Sequence, residues 1–212
     1  MPTVAVDRDL LFKKLGKVYT EEEFDEFCFE FGIELDEVTT ERQMKRKETS
    51  DDADGSDNVI YKLDIPANRY DLLCIEGLAR GMLVFQGKIK PPTYKLSTPV
   101  KMEQMYVKAD TAKIRPYVCC ATIRNIKLSH EAYNSFLDLQ DKLHQNICRR
   151  RTLVSVGTHD LDSIKGPFSY EARTPDNIKF KPLFEDKVFD NAKTYLDHLK
   201  VHPERKNTLG KY

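Results

Sequence analysis

Lys62 to Gly87, KLDIPANRYDLLCIEGLARGMLVFQG, sets a strand, a proline turn and a helix end to end. Val59, Tyr61, Leu63 and Ile65 alternate with Asn58, Lys62 and Asp64, the period of a strand with one buried face. Pro66 ends the strand because it has no N–H for a ladder and keeps Ile65 extended. The chain must turn at Ala67, Asn68 and Arg69. Leu72, Ile75, Ala79, Met82 and Phe85 then recur at helical spacing, and Gly87 stands where a left-handed cap belongs. The turn carries Asn68, Arg69 and Asp71. As a structural turn, Asp71 favours the helix start and Asn68 closes the bend with its side chain. As a ligand site, the Arg69 fork suits a phosphate or carboxylate beside a helix N-terminus.

The composition bounds the rest. A chain of 212 residues makes one large or two modest units. Lys plus Arg and Asp plus Glu are 34 each, so no global positive field advertises nucleic acid, and any RNA contact must come from a local patch. No apolar run of about 18 residues and no signal-peptide core is present, which predicts a soluble, unprocessed chain with no membrane partner. The five cysteines form no CxxC pair and fit a reducing, cytoplasmic setting. His144 and Cys148, four apart, are too few ligands for a metal, so none is expected.

Upstream, Thr3–Val6 predicts a first strand, and Asp7 or Asp9 caps a helix ending at Gly16. Thr20 and Glu23 form a capping box before the stripe Phe24, Phe27, Cys28, Phe31, which Gly32 closes. Ile33–Val38 predicts a strand able to pair with Val59–Ile65. Residues 39–57 join a basic block to an acidic one with little to bury, and predict a mobile hairpin-like insertion.

Downstream, KIKPPTYKLSTP marks a boundary. Strands are expected within Met102–Lys108, Arg115–Leu128 and Leu153–Val156, and again at Phe168–Ala172 and Ile178–Phe180. Ser129 caps a helix through Tyr133, Phe136, Leu137, Leu143 and Ile147, and a last helix is expected within Val188–Val201. The fold class is α+β: a mixed unit over residues 1–90, a linker over 91–111, and a partial second α/β unit over 112–212.

Two motifs bear on chemistry. Arg149, Arg150 and Arg151 are the densest positive cluster, suited either to a helix C-terminus or to RNA backbone. Thr158, His159 and Asp160 follow an apolar run. They supply a hydroxyl, a base and a carboxylate for hydrolysis, or merely cap a helix start.

DIPANRYDLL followed by EGLARG resembles the N-terminal domain of the phenylalanyl-tRNA synthetase beta subunit of archaea and the eukaryotic cytosol. MPTVAVDRDLLF, YTEEEFDEFCFEFGIELDEV, KLHQNICRRR and VSVGTHDLDSIKGPF are similar to that subunit in the same order, and the likeness covers residues 1 to about 183. The resemblance implies that residues 112–212 are an incomplete part of the editing, tRNA-binding domain. It implies a catalytic alpha-subunit partner in a two-plus-two assembly, tRNA(Phe) as a further partner, and ATP and Mg2+ for the whole ligase, with no cofactor in this stretch. The family's editing residues lie beyond Tyr212, so no catalytic residue is assigned in this stretch, His159 is read as structural and is only the fallback candidate, and the stretch alone is expected to be inactive. Two other readings stay open: a free-standing RNA-binding or protein-interaction module, and a small hydrolase using Thr158, His159 and Asp160.

Overall fold

The computed structural model describes residues 2–48, 56–182 and 185–202. Its contacts divide the chain into two compact units that interleave: residues 1–96 with 125–158, and residues 97–124 with 159–212.

In the first unit, β1 (Thr3–Asp7), β2 (Glu34–Thr40) and β3 (Val59–Asp64) form an antiparallel sheet with β3 central. Val4 lies opposite Leu63 and Val6 opposite Tyr61 on one side, and Leu35 and Val38 face the same two residues on the other. A register shift between Leu35 and Glu37 keeps the apolar side chains aligned, and Lys62 Nζ donates to Glu37 at 2.6 Å across the pair.

The first two helices start and stop where the sequence predicts. Asp7 accepts from the Leu10 amide to begin α1 (Arg8–Leu15), and Gly16 closes it at φ 69°. Thr20 and Glu23 make a reciprocal capping box for α2 (Glu21–Phe31), closed by Gly32 at φ 89°. Phe12, Phe24 and Tyr61 pack with ring centroids 5.1 to 5.9 Å apart, and Tyr19 and Phe27 stack at 5.6 Å. This aromatic knot, with Leu11, Leu63, Ile65, Leu72, Leu78 and Met82, is the core. Burial pushes the Cys28 thiol up to about 12, which makes it a packing group rather than a nucleophile.

The insertion expected over 39–57 is ordered in its described part. β2 runs on to Thr40, and α3 covers Glu41–Glu48. Gln43 donates its amide to Thr40 Oγ1 at 3.2 Å, and its side-chain oxygen accepts from the Thr40 amide at 3.3 Å. Thr40-Glu41-Arg42-Gln43 is thus a second capping box. The far end is tied back, with Ser56 Oγ donating to Glu41 at 2.6 Å and Arg42 pairing with Asp57 at 2.9 Å. Residues 49–55 lie outside the described residues.

α4 (Ile75–Phe85) is shorter than the apolar spacing predicts, because a separate 3-10 turn, Tyr70–Leu72, precedes it. α5 (His130–Gln145), capped by Ser129, belongs to the first unit rather than to a domain beginning at 112. Leu139 and Leu143 lean on the core, and Ser135 donates to Glu76 at 2.5 Å.

In the second unit, β4 (Met105–Val107) and β5 (Phe168–Tyr170) pair in parallel, and Phe180 bridges Phe189 beside α6 (Ala192–Val201). Arg115–Leu128 and Leu153–Val156 form no strand; bends fall at Asn125, whose φ is 60°, and at Leu153. Alternation supplies the side chains of a strand, yet a ladder needs a neighbour. Tyr117 at 92% and Ile123 at 73% exposure leave these two apolar side chains of the first run uncovered.

Candidate functional site

The turn after β3 is closed by backbone, not by Asn68. The Arg69 amide donates to the Pro66 carbonyl at 2.9 Å, and the Leu72 amide to Arg69 at 3.1 Å. Asn68 is exposed. Arg69 instead grips Asp71 with both arms of its fork, Nε to Oδ1 at 3.0 Å and Nη2 to Oδ2 at 2.9 Å. Its guanidinium also lies 5.6 Å from the Phe31 ring centroid. Hydrogen bonds from Arg69, partly opposed by burial, hold the Asp71 carboxyl below its ordinary value. A fork already filled by a carboxylate is poorly placed to take a phosphate. Asp71 sits in the 3-10 turn and does not cap α4; Cys74 is the N-cap, with no side-chain hydrogen bond.

Arg149, Arg150 and Arg151 follow α5 in three consecutive left-handed conformations, φ 49°, 53° and 65°. Such backbone costs roughly 1 to 2 kcal/mol per non-glycine residue. It is offset by local hydrogen bonds: Thr152 donates both its amide and its hydroxyl to the Arg149 carbonyl, at 3.1 and 2.6 Å, and the Leu153 amide reaches the Cys148 carbonyl at 3.2 Å. All three side chains are exposed. Arg151 lies 4.0 Å from Asp141, and among the described residues no ion pair engages Arg149 or Arg150. The last turn of α5 is served by Asn146, whose amide and side chain both donate to the Lys142 carbonyl.

Thr158, His159 and Asp160 are consecutive but are not assembled into a catalytic arrangement. Thr158 donates to Gln140 Oε1 at 3.0 Å, and Asp160 accepts from the Asp162 amide at 3.0 Å as the cap of a 3-10 turn, Leu161–Ser163. His159 is exposed, and no described hydrogen bond links the three residues. Among the described residues no group of three His, Cys, Asp or Glu is placed to hold a metal ion. No described helix is long and apolar enough to cross a membrane.

Sequence reasoning missed one site-shaping feature, the pair Gln140 and His144 on α5. Gln140 Nε2 donates to the Val156 carbonyl at 3.3 Å, and His144 Nε2 accepts from the Val156 amide at 2.9 Å. Two polar residues four apart on the buried side of a helix were the available signal.

An α+β unit built on this strand, turn and helix matches known proteins closely. Residues 1–88 match the model of the Phe-tRNA synthetase beta subunit B1 domain. A Drosophila melanogaster phenylalanine–tRNA ligase beta subunit is 55% identical over 212 residues, covering 99% of this chain and 36% of its own length. An Arabidopsis thaliana relative, named as the cytoplasmic beta subunit, is 56% identical over 193 residues, 89% of this chain and 32% of its own. Among solved structures, an N-terminal fragment of the phenylalanyl-tRNA synthetase beta subunit from Pyrococcus horikoshii superposes with a TM-score of 0.79 at 27% identity, covering 99% of this chain and 56% of that one. The chain belongs to the phenylalanine–tRNA ligase beta-subunit family and corresponds to the N-terminal part of that subunit. It spans about a third of the length of the curated relatives it matches.

Proposed function

We propose that this chain serves as scaffold in a cytoplasmic phenylalanine–tRNA ligase, docking onto a catalytic alpha subunit in a two-alpha, two-beta assembly and lying against tRNA(Phe). The observation that supports this reading is similarity that runs continuously along the chain, together with the unassembled state of Thr158, His159 and Asp160. Residues 1–90, with α5 packed on them, act as the docking module, 91–111 as a connection, and the rest of 112–212 as the beginning of an editing module. The exposed Arg149, Arg150 and Arg151 contact RNA phosphates. ATP and Mg2+ are handled by the whole ligase, and no residue of this chain is assigned to hold either.

Co-expression with a tagged alpha subunit tests the proposal. Retention of the chain through affinity capture and gel filtration is expected. If a full-length beta subunit is retained under the same conditions and this chain is not, the docking role does not belong to these residues.

A further inference from the structure

We propose that His144 is a protonation-sensitive latch that fastens the segment leading to His159 along α5. This goes beyond the scaffold reading and does not depend on it. Residues 154–158 belong to no strand among the described residues, yet Val156 is held by both its backbone groups. Its amide donates to His144 Nε2 at 2.9 Å, and its carbonyl accepts from Gln140 Nε2 at 3.3 Å. Thr158 adds a third bond, to Gln140 Oε1 at 3.0 Å. Gln140 and His144, one turn apart, thus act as a substitute strand edge.

The chemistry of the ring makes this a switch. To accept from an amide, Nε2 must carry its lone pair, so the neutral imidazole has its proton on Nδ1. His144 is 2% exposed, and Nδ1 is buried without a hydrogen-bond partner among the described residues. Protonating Nε2 would turn the acceptor into a second donor facing the Val156 N–H, in a site with no acceptor for Nδ1 either. The segment would then have to leave. Burial and then Arg151 push the imidazole pKa down from its ordinary 6.5, with Asp141 and, least, the Val156 backbone contact acting the other way. Residues 153–158 bring no ionisable side chain to the site, and Cys148 is the other buried titratable group nearby in sequence.

The sign follows from linkage. The released state binds a proton near pH 6.5 and the latched state only at lower pH, so the latch is fully set above 6.5 and weakens as the pH falls below it.

Amide hydrogen exchange of residues 153–158 between pH 7.5 and 5.5, corrected for intrinsic rates, reads the opening directly. Protection at Val156 is expected to be nearly flat from pH 7.5 to about 6.5 and to fall below it, by at most about tenfold by pH 5.5, because proton uptake on opening begins only near the released value. His144→Gln keeps an acceptor without a titrating group and should flatten this dependence. Should that variant fold poorly, nitrogen chemical shifts of His144 in the parent chain carry the test alone: they should report the Nδ1–H tautomer at pH 7.5. An Nε2–H tautomer, protection at Val156 unchanged through the titration, or an undiminished pH dependence in a folded His144→Gln chain would each overturn the latch.

Discussion

Gly77 lies directly beneath the carbonyl oxygen of Asp71, so close that a β-carbon on Gly77 would collide with it. One turn on, a β-carbon at Gly81 would lie 2.9 Å from Leu72 Cδ2 and 3.2 Å from the Phe31 ring. These two glycines let the 3-10 turn and α4 pack closely, which is the joint on which the first unit depends. Gly77→Ala is therefore expected to destabilise by roughly 1 to 3 kcal/mol or more, since the obstacle is backbone that cannot rotate away. Gly16→Ala meets no neighbour within 4 Å and bears only the strain of its left-handed backbone, on the order of 1 kcal/mol. Urea midpoints of the two variants should rank in that order.

The Arg69 to Asp71 pair contributes less than its position suggests. The side chains are 37% and 56% exposed, so Arg69→Ala should cost about 1 kcal/mol or less, including its contact with Phe31. Because the pair lowers the Asp71 pKa, its contribution is present above the ordinary carboxylate value of 3.8 and is lost as the pH falls through the lowered one. Melting curves of parent and variant should differ at neutral pH and converge in acid.

The two capping boxes are separable. Thr20→Ala is expected to lower global stability by about 1 kcal/mol, since α2 carries core phenylalanines. Thr40→Ala should instead raise amide exchange within α3 while leaving the midpoint nearly unchanged, because no described side chain of α3 joins the core cluster.

Elements that satisfy themselves locally were legible in the sequence. Asp7, Thr20 and Ser129 cap the helices expected of them, and Val4, Tyr61 and Leu63 meet on the buried side of the expected sheet. Elements that need a distant partner were not. Tyr117, Cys119, Ala121 and Ile123 alternate like a strand and pair with no strand among the described residues, since alternation says nothing about whether another strand arrives. In the charged run after Thr39, composition hid the helix over Glu41–Glu48, although Thr40 and Gln43 carried the helix signal at the right spacing. At the candidate sites, the charge of Arg69 was legible but not its occupancy by Asp71, and the spacing of Gln140 and His144 marked a polar pair without showing that its partner is the Val156 backbone.

If Arg149, Arg150 and Arg151 touch RNA phosphates, their replacement by glutamine should weaken tRNA binding and lower the salt dependence by up to about three phosphates' worth of slope. Fluorescence anisotropy across a potassium chloride series measures both. An unchanged slope would remove this cluster from the interface.

The scaffold reading is tested most directly by incubating purified chain with tRNA(Phe) mischarged with tyrosine and following release of the amino acid. Discrimination of the tyrosine hydroxyl requires polar partners fixed around a closed pocket, whereas His159 here is exposed and unlinked to Thr158 or Asp160. The account predicts release no faster than spontaneous hydrolysis, with parent and His159→Ala indistinguishable. Catalytic release by the parent that His159→Ala abolishes would contradict it.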